Sequence, residues 1–294
     1  CAAYGVPLEP RRLALLCQKV ENLVAGAPCG VMDQMTAALG EAGRLVALLC
    51  QPAELRGHLE LARGLALWGI DSGIRHAVGG ADYATIRAAA FMGHRMLEHL
   101  TGRRLDYVAN VTPAEFATLA ARVPERLTGR HFLHRYDGVI DPLTTVDPDR
   151  VYPVRVATAH PICEHARARD FAERLSRLAD EETNGTGSLT AGAEHLGALM
   201  YESHASYSAC GLGSDGTDAL VTFVRSAGPE SGMYGAKITG GGRGGTVAIL
   251  ARTDSAPVVH AIAAQYARRC GRVARVFGGS SSGAAACGVC NLRL

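Results

Sequence analysis

The chain has 294 residues, of which 48% are hydrophobic and 20% charged, so one large or two ordinary domains can form a proper core and global disorder is disfavoured. Its 30 lysines and arginines against 28 aspartates and glutamates give a net charge of +2, and their scatter argues against a nucleic-acid surface. No apolar run reaches the roughly 18 residues that cross a bilayer. Nine cysteines without framework spacing favour reduced thiols and a cytoplasmic location.

The first hundred residues are predicted to form three helices and two strands. Apolar residues recur at helical spacing from Leu13 to Val24, and this helix should end at Gly26, since glycine readily adopts the left-handed conformation at a helix end. The other elements follow in the order helix 31–39, strand 44–50, strand 65–70, turn 79–80 and a helix capped by Asp82 that runs to about residue 100.

The middle segment, residues 102–161, is polar and interrupted by prolines, so we expect short helices and loops there. Beyond it the pattern predicts an arginine-rich helix at 166–178, a loop at 180–188, a long helix at 189–207 and a further helix capped by Asp215. The C-terminal stretch predicts, in order, strand 234–239, glycine loop 240–245, strand 246–250, helix 258–269 and strands 273–277 and 289–292. This order indicates an α+β fold, with helices on one face of a largely antiparallel sheet.

The first chemically informative run is residues 26–34, Gly-Ala-Pro-Cys-Gly-Val-Met-Asp-Gln. It places the Asp33 carboxylate just past a turn, at the start of the predicted second helix. Phosphoryl transfer needs the attacking oxygen held in line, and often one carboxylate that takes or steers the hydroxyl proton. The alternative is that Asp33 only decorates a helix start, where the helix dipole favours acids.

The second run is residues 235–246, Gly-Ala-Lys-Ile-Thr-Gly-Gly-Gly-Arg-Gly-Gly-Thr. Its glycines permit positive φ angles and close backbone approach, so successive N–H groups could form an anion-binding concavity. A tight hairpin that needs glycine for its geometry alone is an equal alternative. The run is not a P-loop, because no Gly-Lys-Ser/Thr closes it, and it is not a dinucleotide-binding fingerprint, because a strand follows it.

Both runs resemble motifs of the GHMP superfamily of kinases, the first that of galactokinase-type sugar kinases and the second the C-terminal glycine motif. Residues 68–76, Trp-Gly-Ile-Asp-Ser-Gly-Ile-Arg-His, followed by Tyr83, resemble a strand end and helix of galactokinases, and residues 200–204 resemble a further helix. Residues 206–218 have the form found in L-arabinokinases. We read His76 as a structural histidine. For Tyr83, a core aromatic role and contact with the sugar are both open.

The resemblance implies two α+β domains with the active site between them: residues 1–80 as the remainder of an S5-like N-terminal domain, and residues 81–294 as a ferredoxin-like C-terminal domain. It implies transfer of the γ-phosphoryl group of MgATP to the anomeric hydroxyl of a monosaccharide, with L-arabinose the first choice and D-galactose the second. Asp33 would be catalytic, and Gly30 and Tyr83 would line the sugar pocket. The glycines at the ATP phosphate end are Gly240, Gly241, Gly242, Gly244 and Gly245.

The sequence also departs from the family pattern. The serine-rich phosphate loop and the Mg²⁺ ligands of the family are not found, so we expect them in an upstream segment and expect the 294-residue chain to be inactive alone. Arg243 stands where galactokinases usually have Phe, and it either points to solvent or adds a cation near the triphosphate. The alternative function is a non-catalytic sugar or nucleotide sensor on the same scaffold, because a fold does not fix a function.

Overall fold

The computed structural model describes residues 5–27, 29–75, 81–185 and 187–288. The longer helices of these segments, in chain order, are α1 Pro10–Leu23, α2 Met32–Leu39, α3 Ala81–Thr101, α4 Pro113–Leu119, α5 Gly129–Tyr136, α6 Val154–Thr183, α7 Leu189–Ala209, α8 Asp215–Ala227, α9 Ala256–Cys270 and α10 Ala284–Cys287. The strands are β1 Arg44–Leu49, β2 Glu54–Glu60, β3 Leu65–Asp71, β4 Leu127–Thr128, β5 Val151–Tyr152, β6 Met233–Ile238, β7 Thr246–Arg252 and β8 Arg275–Gly278.

The N-terminal elements are two helices packed on each other and a hairpin. Met35 and Ala38 of α2 are buried with Ala14 of α1, which explains the apolar spacing in both helices. β1 and β2 pair antiparallel, with Arg44 opposite Glu60. The sequence predicted α1, α2 and β1, and these are confirmed. It missed β2, because the charged residues of Glu54-Leu-Arg-Gly-His-Leu-Glu interrupt the apolar pattern of this partly exposed strand.

A four-stranded antiparallel sheet, in the order β6-β7-β3-β8, forms the centre of the C-terminal half. Ile249 and the other residues that face α8 and α9 alternate along β7 with Leu250, which packs toward α6 and α7. Helices therefore cover both faces, and the expectation of helices on one face was wrong. Coverage of both faces is evident in β6, which is buried at nearly every position because neither of its faces meets solvent.

β3 bears on where the N-terminal domain ends. It lies between β7 and β8, with Trp68 paired to Ile249 on one side and to Gly278 on the other. A boundary at residue 80 would separate this strand from both of its pairing partners. The boundary stays a prediction, and the pairing favours a position between β2 and β3.

The middle of the chain forms a separate helical core around Phe132, Met92 and Leu97, which involves α3 to α6. The short helices expected at 102–161 are found, but α6 already begins at Val154 and runs through Pro161. Packing explains why the helix persists there: Thr158 approaches α3 so closely that a Cβ at Gly93 would meet the Thr158 hydroxyl oxygen at 1.7 Å. The predicted loop at 180–188 was also too long, since α6 continues to Thr183.

The predicted N-cap of α8 was wrong. Ser214, and not Asp215, is the N-cap of α8, and its hydroxyl accepts a hydrogen bond from the N–H of Thr217 at 3.3 Å. Serine takes this place because its short side chain reaches back to the N3 amide, whereas Asp215 already lies in the first turn. The turn at 79–80, the side chain of Asp82 and the strand at 289–292 lie outside the described part of the chain.

Candidate active site

Side chains of α1 hold the loop between α1 and α2 in place. The side-chain oxygen of Asn22 accepts a hydrogen bond from the N–H of Cys29 at 2.9 Å, and the amide of Gln18 donates to the Cys29 carbonyl at 3.3 Å. The Cys29 thiol donates to Glu21 at 3.0 Å. Burial raises the pKa of the Cys29 thiol, and the neighbouring Glu21 acts in the same direction. The backbone that leads into Gly30 is therefore held on both its donor and its acceptor side.

Asp33 lies in the first turn of α2 and is exposed. Its carboxylate forms no hydrogen bond or ion pair with any residue that the structure describes. Gly30 is exposed as well, with open space where a Cβ would lie. Both residues are thus accessible to a ligand on a rigid turn–helix junction. The sequence predicted a cleft here, and no described residue bonds to Asp33 across such a cleft, so the catalytic role of Asp33 stays a prediction.

The glycine loop, residues 240–245, joins β6 to β7, and backbone hydrogen bonds anchor its second half. The N–H of Arg243 donates to the Leu212 carbonyl at 2.5 Å, and the N–H of Gly245 donates to the Ile74 carbonyl at 3.0 Å. A Cβ at Gly242 would lie 2.5 Å from the Leu212 oxygen, and one at Gly244 would lie 2.6 Å from the Ile74 oxygen. Glycine is therefore required at these positions by close approach as well as by their positive φ angles.

Four N–H groups of the same loop have no partner among the described residues, namely those of Gly240, Gly241, Gly242 and Gly244. A hydrogen-bonded hairpin would have used them internally. Gly240 is exposed and Gly241 is half-buried, so this end of the loop is open to a ligand. A row of unpaired N–H groups in a glycine loop, where Gly240 and residues 242–245 have positive φ angles, is suited to oxygen anions.

Arg243 adopts a left-handed backbone conformation with φ of 61°, which is uncommon for a residue with a side chain. Its guanidinium donates to the Gly211 carbonyl at 3.1 Å. The side chain is thus held against the turn that follows α7 while remaining exposed.

A half-buried polar cluster lies beneath the glycine loop. The Tyr207 hydroxyl donates to the Gly240 carbonyl at 3.0 Å, and the Lys237 ammonium lies 5.5 Å from the centre of the Tyr207 ring. His160 contacts the same ring edge-on at 4.6 Å. Lys237 also lies 3.5 Å from a Glu164 carboxylate oxygen, which accepts a hydrogen bond from the Ser203 hydroxyl at 2.5 Å.

The electrostatics of this cluster follow from its burial. Burial raises the pKa of Tyr207, and Glu164 and, less strongly, Tyr83 add to the shift. Burial lowers the pKa of His160, against the opposing charge of Glu164. Burial alone would raise the pKa of Glu164, but Lys237 and the Ser203 hydroxyl bring it below its usual value. The tyrosine and the histidine are therefore neutral near pH 7, whereas Glu164 is ionised.

The end of β6 is supported by a second ionisable pair. His204 accepts a hydrogen bond from the N–H of Ile238 at 3.3 Å and places its other ring nitrogen 3.0 Å from Asp218. Burial lowers the pKa of His204, and Asp218 opposes that shift. The run at 200–204, singled out from the sequence, thus holds the strand that leads into the glycine loop.

Tyr83, in the first turns of α3, lies within electrostatic range of Tyr207 and is half-buried. The hydrogen bond to Gly240 joins Tyr207 to the glycine loop, and the role of Tyr83 in a sugar pocket stays a prediction. No hydrogen bond or ion pair between described residues links Asp33 or Gly30 to this group, and His76 lies outside the described residues. Tyr207 and Lys237 lie in runs that the sequence singled out, 206–218 and 235–246, but neither was assigned a role, and Glu164 lies in no such run. His160 and Glu164 are four residues apart, a spacing that places both on one face of a helix. The sequence could not indicate this, because the predicted helix began only at residue 166.

Among the residues described, no group of three His, Cys, Asp or Glu is placed to hold a metal ion. The expectation of Mg²⁺ ligands in another segment stays a prediction. In the same part of the chain, no helix has both the length and the apolar character needed to span a membrane.

Comparison with known proteins finds two family models in the chain. The GHMP kinase N-terminal domain matches residues 1–41, and the GHMP kinase C-terminal domain matches residues 191–269. An L-arabinokinase of Arabidopsis thaliana is 40% identical, in an alignment that covers 99% of this chain and 31% of that protein. A galactokinase of Chloroflexus aggregans is 29% identical, over 91% of this chain and 57% of that protein.

The chain therefore spans about a third of the first relative and somewhat more than half of the second. Among solved structures, that of Lactococcus lactis galactokinase in complex with galactose superposes with a TM-score of 0.69 at 20% identity, over 95% of this chain and 62% of that one. This superposition bears on the fold, and it agrees with a two-domain arrangement of mixed helix and sheet.

Proposed function

We propose that the protein containing this chain is a sugar kinase of the GHMP type, which transfers the γ-phosphoryl group of ATP to the anomeric hydroxyl of a monosaccharide. L-arabinose is the first candidate substrate and D-galactose the second. The 40% identity to an L-arabinokinase along 99% of the chain is the observation that carries the proposal. The two sugars differ by one hydroxymethyl group, which a pocket distinguishes by only about 1–3 kcal/mol.

In this proposal ATP, used with Mg²⁺, supplies the phosphoryl group, and the chain supplies positioning. The unpaired N–H groups at Gly240 and Gly241 are suited to phosphate oxygens, since they are fixed in place before a ligand binds. Asp33 would accept or steer the proton of the anomeric hydroxyl, and Gly30 beside it leaves room for the sugar ring. Tyr83 would form a wall of the sugar pocket.

A domain boundary accompanies this function. We propose that the N-terminal domain carries Gly30 and Asp33 and that the C-terminal domain carries the glycine loop, with the substrates held between them. The exposed carboxylate of Asp33 supports this arrangement, because it is accessible to a ligand.

The test is a sugar panel with ATP on the full-length gene product, read by phosphorus NMR for an anomeric phosphate. Sugar 1-phosphate from L-arabinose, with slower turnover of D-galactose, is the expected result. Binding of sugar and nucleotide without any turnover would favour the non-catalytic sensor. The 294-residue chain alone is expected to give no turnover, and ATP-dependent product from it would contradict that part of the proposal.

A further inference from the structure

Tyr207 stands where the glycine loop, α6 and α7 meet. Its hydroxyl donates to the carbonyl of Gly240, the first residue of the loop, at 3.0 Å. Gly240 has a φ of 63°, and no other atom lies within 4 Å of where its Cβ would be. The neighbouring Thr239 donates its N–H to the Thr246 carbonyl at 3.1 Å, and the N–H of Gly245 donates to the Ile74 carbonyl. The Tyr207 hydroxyl is the side-chain contact at Gly240 itself.

The Tyr207 ring is itself fixed by charged and aromatic neighbours. Lys237 of β6 lies 5.5 Å from the ring centre, and His160 of α6 meets the ring edge-on at 4.6 Å. His160 in turn shares a hydrogen bond of 2.8 Å with the Ser206 hydroxyl of α7. The ring, which α7 carries, therefore contacts side chains of both β6 and α6. These contacts restrict the movement of its hydroxyl away from Gly240.

The Lys237 ammonium forms an ion pair with the Glu164 carboxylate. Glu164 of α6 lies 3.5 Å from the Lys237 ammonium, accepts from the Ser203 hydroxyl at 2.5 Å and accepts from the Arg167 guanidinium at 3.0 Å. A carboxylate with these three partners remains ionised in a largely buried place, because each partner favours its charged form. It fixes the ammonium beneath the tyrosine ring.

We propose that Tyr207 is a positioning residue for the nucleotide phosphates, which sets the place of Gly240 and of the N–H groups that follow it. Lys237 acts through the Tyr207 ring. This inference rests on the proposed kinase function. It adds that a side chain of α7, outside the loop, positions the phosphate end of the site. The half-buried cluster around Tyr207 thus holds the loop in place as well as stabilising the fold.

The first test is Tyr207→Phe in the full-length protein, with Tyr201→Phe as a matched control. Tyr201 lies on the same helix, and its ring contacts Arg225 at 4.2 Å. We expect Tyr207→Phe to raise the KM for ATP about fivefold, the factor that a single neutral hydrogen bond contributes, with the sugar KM unchanged. The control should leave both values unchanged. An unaltered ATP KM in an otherwise active Tyr207→Phe enzyme would overturn the inference.

The second test needs no turnover and so separates this inference from the proposed function. Hydrogen exchange of the 240–246 amides should become faster in Tyr207→Phe, and it should stay at the wild-type rate in Tyr201→Phe. Unchanged exchange in Tyr207→Phe would overturn the anchoring role even if the wild-type protein proves to be no kinase. Failure of the kinase assay with faster exchange would reject the function and retain the anchor.

A double-mutant cycle tests the part played by Lys237. If Lys237 acts through Tyr207, then Lys237→Met should raise the ATP KM in the wild-type background and have little further effect in Tyr207→Phe. The same increase in both backgrounds would mean that the ammonium contacts the nucleotide directly, and this would overturn the proposed route.

Discussion

Gly197 is where α7 and β6 come closest, and replacing it by alanine is a sharp test of this packing. A Cβ at Gly197 would lie 1.9 Å from the carbonyl oxygen of Tyr234, in the backbone of β6. A backbone atom cannot rotate away, so helix and strand must separate by about 1 Å, since closest carbon–oxygen contacts lie near 3 Å. The expected overpacking cost is about 2–3 kcal/mol.

Alanine also favours the helix over glycine by about 1 kcal/mol, so the expected net loss of unfolding free energy in Gly197→Ala is about 1–2 kcal/mol. Gly192→Ala is the matched control, on the same helix. There the new Cβ would meet the methyl end of Leu178 at 2.5 Å, a side-chain atom that can shift further than the backbone of a strand, although Leu178 is buried. Gly192→Ala should therefore cost less than Gly197→Ala.

The assay is urea unfolding followed by far-UV circular dichroism, with linear extrapolation to water. A separation of about 1 Å would also stretch the Tyr207–Gly240 hydrogen bond beyond hydrogen-bonding distance, so the ATP KM should rise together with the loss of stability. If Gly197→Ala proved as stable as wild type, the close approach of α7 to β6 would be refuted.

Three further predictions concern stability and are checked by urea unfolding. Phe132→Ala should cost about 3–5 kcal/mol, because this fully buried ring leaves a cavity in the helical core; a loss under about 1 kcal/mol would contradict its burial. Ser214→Ala should cost about 1 kcal/mol and more than Asp215→Ala, since serine is the cap; the reverse order would restore aspartate as the cap. Burial lowers the pKa of His160, so the unfolded chain binds more protons and stability should fall below about pH 6.5, less steeply in His160→Gln; equal slopes would refute the buried neutral histidine.

Local periodicity predicted most elements of the fold. The helices around Leu13 and Leu189 follow from apolar spacing, and the strands on either side of the glycine loop follow from short apolar runs. Periodicity was wrong where distant contacts override local preference. Pro161 marks a break by propensity, yet α6 passes through it, because Val154 and Ala157 are buried in the helical core.

The candidate site was predicted in its parts but not in its connections. The runs 206–218 and 235–246 were both singled out from the sequence, but the hydrogen bond from Tyr207 to Gly240 that joins them could not be predicted from either run. The cluster of Glu164 and Lys237 depends on an ion pair between α6 and β6, a tertiary relation that spacing along one strand or helix does not encode. Short runs of sequence therefore identified candidate chemical groups, whereas the residues that hold those groups in place could be identified only from the fold.

The central claim is that Asp33 provides the carboxylate for phosphoryl transfer to a sugar. The most direct measurement is the turnover of L-arabinose and ATP by full-length Asp33→Asn, beside Asp137→Asn as a control at an exposed carboxylate. Loss of general-base assistance is expected to lower kcat by about 10²–10⁴, with the ATP KM unchanged and the control at the wild-type rate. Full activity in Asp33→Asn would contradict the account.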